Sequence, residues 1–69
     1  MKEKEWVLIE VIGRDIQKPK FFNTYEEAHS VMKRYYESVS EDGIGELNDC
    51  DAWCNKNNCT FDWKIFYIT

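Results

Sequence analysis

Residues 5–12 read Glu-Trp-Val-Leu-Ile-Glu-Val-Ile and end on Gly13-Arg14-Asp15. A β-branched and aromatic run closed by such a cluster predicts a strand followed by a turn. Val7, Ile9 and Val11 share one face of that strand, and Trp6, Leu8, Glu10 and Ile12 the other. Both sets are largely apolar, which predicts a central strand. Pro19 cannot donate to a ladder and suits the start of an edge strand, so residues 20–23 predict a short second strand, with 13–19 closing the hairpin. Thr24-Tyr25-Glu26-Glu27 has the form of a capping box, with Thr24 accepting from the Glu27 amide and the Glu27 carboxylate reaching back. A helix over 25–40 follows. At 100° per residue, Tyr25, Ala28, Val31, Met32, Tyr35, Tyr36 and Val39 fall in one sector, and no Gly or Pro interrupts them. Asp42-Gly43-Ile44-Gly45 stops the helix and leads into a loop over 43–48. A third strand over 49–54 and a fourth over 59–68 flank the turn formers Asn55-Lys56-Asn57-Asn58. A four-residue loop there sets Cys54 opposite Cys59 and Ala52 opposite Phe61.

The order ββαββ predicts an α+β fold: a four-stranded antiparallel sheet with one helix packed on one face, in a single domain spanning 1–69. A helix of this length is about 24 Å long and spans the sheet. It shields one side only. On the other side the alternation places Trp6, Leu8 and Ile12 of the first strand, with Trp53, Phe66 and Ile68 from the last two. A contiguous apolar face of that size points to an interface. It would be a docking face for another protein or the seam of a homodimer packed sheet to sheet. A register error of one residue would exchange every assignment.

Length limits the chemistry further. A chain of 69 residues excludes a multidomain enzyme, and a chain so short has a marginal core. No apolar run reaches the roughly 18 residues of a membrane span, and the charged start is not a signal peptide, so the expected location is cytoplasmic. The net charge is −4, and it is uneven: residues 36–69 hold seven acids and two bases. Glu37, Glu41, Asp42, Glu46, Asp49 and Asp51 follow one another without a base between them. Such a surface repels nucleic acid and suits a basic groove on another protein, including one that normally holds nucleic acid. No membrane partner and no direct nucleic-acid binding are expected.

Catalytic and metal signatures are weak. Cys50, Cys54 and Cys59 have three and then four residues between them, which is not the paired short spacing of structural zinc. Asp49 and Asp51 flank Cys50 and oppose a reactive thiolate. In a reducing compartment the three are free thiols. Asp49, Asp51 and Asn55 lack the central Gly and bidentate Glu of a calcium loop. The expectation is a protein with no enzymatic activity, no metal and no cofactor.

Phe22-Asn23-Thr24-Tyr25-Glu26-Glu27-Ala28 leading into Met32, then Ala52-Trp53-Cys54-Asn55, and finally Asp62-Trp63-Lys64-Ile65-Phe66 together resemble a group of short proteins carried by phages, prophages and mobile elements of bacteria. The resemblance spans most of 5–69 and carries over no catalytic residue. It implies a genomic setting in which small acidic proteins bind a host protein, anti-CRISPR and other anti-defence inhibitors among them. The expected partner is then a Cas effector or another defence protein, with the acidic segment meeting its basic surface. The alternative is a small structural protein that associates with itself.

Overall fold

The computed structural model describes residues 5–40 and 44–68. The elements are β1 (Trp6–Ile12), β2 (Asp15–Ile16), β3 (Lys20–Phe22), α1 (Tyr25–Val39), β4 (Ile44–Leu47), β5 (Asp51–Lys56) and β6 (Cys59–Tyr67). The antiparallel sheet runs β2-β1-β6-β5-β4, and β3 pairs with the same edge of β1 that β2 occupies. The α+β class holds, but among the described residues the sheet has six strands where four were predicted.

The two extra strands have separate causes. The return from β1 bonds twice, at Val11↔Ile16 and Ile12↔Asp15 and again at Trp6↔Phe22 through Leu8↔Lys20. Pro19 offers no donor between them, so one edge strand becomes two. The second addition is β4, inside the segment expected to be a loop. It pairs with β5 from Ile44↔Asn55 to Leu47↔Ala52. Gly45 makes that pairing feasible: a Cβ there would lie 2.6 Å from the Cys54 Cβ and 2.5 Å from the Trp53 carbonyl oxygen.

The β5–β6 hairpin closes through two residues. Asn57 and Asn58 both have positive φ, 55° and 65°, as a tight turn of type I′ requires. Lys56 therefore faces Cys59, Cys54 faces Phe61, and Ala52 faces Trp63. The expected pairings of Cys54 with Cys59 and of Ala52 with Phe61 are off by two residues, which leaves the faces unchanged.

The helix follows the sequence closely. Thr24 Oγ1 accepts from the Glu27 amide at 3.2 Å, while Glu27 Oε1 accepts from the Asn23 amide at 3.1 Å. Thr24→Ala should remove about 1 kcal/mol of stability, read as a lower urea midpoint at unchanged slope. Ala28 and Met32 are buried against Leu8, Ala52, Cys54, Trp63 and Ile65 in one core cluster. Ala28 and Ala52 have no side chain beyond Cβ, which lets the helix approach the sheet. Tyr36 meets Trp63 edge to face with centroids 6.4 Å apart.

The face assignment of β1 is corrected by its pairing. Leu8 lies opposite Ile65, Glu10 opposite Trp63, and Ile12 opposite Phe61. Trp6, Leu8 and Ile12 thus point to the helix side, not the open side. Leu8 belongs to the core at 1% exposure. Trp6 packs edge-on to Tyr25 of the helix, with centroids 5.5 Å apart. The uncovered side of β1 carries Val7, Ile9 and Val11 instead. The Cα envelope, 43 × 21 × 14 Å, is a thin slab, as one sheet with one helix layer requires.

Candidate docking face

The register sets the open face out in rows across the strands. At one end Phe21, Val7 and Phe66 lie side by side. The next row is Ile9, Lys64 and Asp51. The third runs Ile16, Val11, Asp62, Trp53 and Glu46. Thr60, Asn55 and Ile44 form the last. Phe66 is 51% exposed, Phe21 48%, Ile68 38%, Ile16 74% and Ile44 73%. Val7, between the two phenylalanines, is buried although no helix covers it. Cross-strand aromatic and β-branched neighbours shield it.

Of the residues expected on this face, Trp53, Phe66 and Ile68 are there. Trp6 and Leu8 are on the opposite one. Sequence reasoning missed Val7, Ile16, Phe21 and Ile44. The Phe21-Phe22 pair was a usable signal, because adjacent residues in a strand must take opposite faces.

The described members of the acidic run do not form one surface. Glu46 and Asp51 lie on the open face through their strand parity, with Asp62 from the other side of the hairpin. Glu37 is exposed on the helix. Asp49 sits near the helix N-terminus, where its carbonyl accepts from the Tyr25 hydroxyl. Partial burial first, and then the Asp49 carboxylate, hold the Tyr25 phenol above its ordinary value. Glu41 and Asp42 lie outside the described residues. Asp51 reaches Lys64 at 4.0 Å and accepts from Asn48 Nδ2 at 2.9 Å. That ion pair is exposed, and such a pair contributes about 0–1 kcal/mol.

The three cysteines are free thiols: Cys50 exposed, Cys59 half-buried and Cys54 buried. Burial first, and then the Asp62 carboxylate, push the Cys54 thiol up. Cys54 and Cys59 are diagonal rather than direct cross-strand neighbours. Diagonal Cα atoms stand about 7–8 Å apart, beyond easy disulfide reach. His29 lies beside Tyr25, ring centroids 5.5 Å apart. Among the described residues no three His, Cys, Asp or Glu side chains converge as metal ligands would. An open groove of about 590 Å³ lies beside β3 and the first turns of α1, lined from Phe21 and Phe22 to Ser30 and Val31.

No protein-family model, curated protein or solved structure matches the chain. Among the described residues no helix is long and apolar enough to cross a membrane.

Proposed function

We propose that the protein is a non-catalytic binding module that docks another protein through the open face of its sheet. The observation that carries this reading is the exposure of Phe21, Phe66, Ile16, Ile44 and Ile68 on or beside a face that no helix covers. Apolar side chains grouped this way lose contact with water when a partner packs on them. The acidic excess directs the choice of partner. Among the described strand residues, Glu46, Asp51 and Asp62 share the face with one base, Lys64. A basic partner surface complements it, and the nucleic-acid groove of a bacterial defence protein such as a Cas effector is the target this reading favours, met in the cytoplasm of the host cell. Occupying that groove would exclude nucleic acid by bulk and by charge.

The test compares the wild type with a Phe21→Ser, Phe66→Ser variant of native far-UV circular dichroism, each used to capture partners from the source cells. The expected result is a partner retained by the wild type and lost by the variant, with the free protein sedimenting as a monomer. The same capture by both proteins overturns the reading. A dimer that buries Phe66 and retains nothing else replaces it with self-association.

A further inference from the structure

Trp53 differs from the other two tryptophans in its surroundings. Trp6 pairs with the rings of Tyr25 and Tyr67, at 5.5 and 5.0 Å between centroids. Trp63 is buried and donates its indole N–H to Glu10 Oε2 at 2.9 Å. Trp53 is half-buried, and among the described residues its ring meets no other aromatic and its N–H has no acceptor.

Its cross-strand neighbours on the open face are both acids, Asp62 on β6 and Glu46 on β4. Directly opposed Cβ atoms stand about 4.5–5.5 Å apart, so one carboxylate flanks the indole on each side. Neither carboxylate has a cation partner among the described residues. The face's own base, Lys64, lies one row away beside Asp51.

We infer that Trp53, Asp62 and Glu46 form a seat for an arginine side chain of the partner protein. This rests on the open-face docking reading and supplies its specificity. A guanidinium placed over the indole gains a cation–π contact. It also carries five N–H donors, enough to reach both carboxylates, one of them through two parallel bonds. The charge pattern fits a single cation better than a run of them, because the Asp51–Lys64 row beside the seat is neutral.

The apolar row at Phe21, Val7 and Phe66 lies four residues along the strands, roughly 14 Å from the seat once the offset of one strand is included. The partner therefore presents an apolar side chain and an arginine at that separation. In an extended segment these are positions i and i+4 on one face.

The probe is the peptide acetyl-Phe-Ser-Thr-Ser-Arg-amide, compared with the same peptide carrying neutral citrulline in place of arginine. Binding is followed by the indole N–H resonance of Trp53, assigned with Trp53→Phe. The arginine peptide should move that resonance and bind about tenfold more tightly than the citrulline peptide. Asp62→Asn with Glu46→Gln should remove most of that advantage, leaving only the cation–π share, with the citrulline peptide's affinity unchanged. Equal affinities of the two peptides for the wild type overturn the seat. If both peptides shift resonances around Phe66 equally, the seat is lost and open-face docking stands. If neither peptide perturbs the open face, both fall.

Discussion

Trp63→Ala should leave the chain without a cooperative native state at room temperature. Trp63 is fully buried on β6, the strand with the most extensive pairing on both sides. Its ring stacks on Phe61 with centroids 6.1 Å apart and receives the edge of Tyr36 at 6.4 Å. Truncating a buried tryptophan costs about 3–5 kcal/mol through lost transfer energy and the cavity left behind. The half-buried Glu10 carboxylate also loses its indole donor, a further cost of about 1–3 kcal/mol. A domain of 69 residues has a total stability of roughly 3–10 kcal/mol at typical per-residue values. The loss is therefore comparable to the whole. Trp63→Phe keeps most of the ring and loses the donor, so it should stay folded with about 1–3 kcal/mol less stability. Urea unfolding followed by far-UV circular dichroism separates the two. A Trp63→Ala protein that unfolds cooperatively near the wild-type midpoint would show that the core lies elsewhere.

Local sequence specified some elements and left others to long-range pairing. The helix was legible because its signals are local: the Thr24 and Glu27 cap, and an uninterrupted stripe from Tyr25 to Val39. The faces of β5 and β6 were legible because their alternation is unequal. Ala52 and Cys54 alternate with Asp51, Trp53 and Asn55, and Phe61, Trp63 and Ile65 alternate with Asp62, Lys64 and Phe66. The charged residues mark the solvent side.

In β1 both faces are apolar, so periodicity leaves its parity open, and only the pairing of Leu8 with Ile65 decides it. The strands β2 and β3 are two and three residues long, too short for any pattern. In β4 a glycine conceals a strand, because the feature that selects Gly45 is the closeness of the Cys54 backbone. Two asparagines supply a complete turn through their tolerance of positive φ, and the sequence alone suggested four residues. The acidic run looked like one surface because its members are neighbours in sequence. Strand alternation and the helix then distribute its described members, Glu37, Glu46, Asp49 and Asp51, over different sides of the molecule.

Two aspartate substitutions on adjacent strands should differ sharply in effect. Leu8→Asp should unfold the protein, and Phe66→Asp should leave it folded. Leu8 is 1% exposed among Ala28, Met32 and Ile65, whereas Phe66 is 51% exposed on the side without a helix. An aspartate at position 8 forces a carboxylate into an apolar site with no donor to receive it. The cost exceeds about 4 kcal/mol. At position 66 the carboxylate stays in water. The loss there is about half the transfer energy of a phenylalanine plus a lower strand preference, about 1–2 kcal/mol. Thermal unfolding of both variants reads the contrast directly. The reverse ranking would place Trp6, Leu8 and Ile12 on the open side and remove the face on which Phe66 and Trp53 stand together. With the expected ranking, a folded Phe66→Asp protein becomes the instrument for the functional question. It carries a charge in the apolar row and keeps the Asp62–Trp53–Glu46 row intact. A partner that needs both an apolar contact and a cation seat should then be lost without any loss of structure.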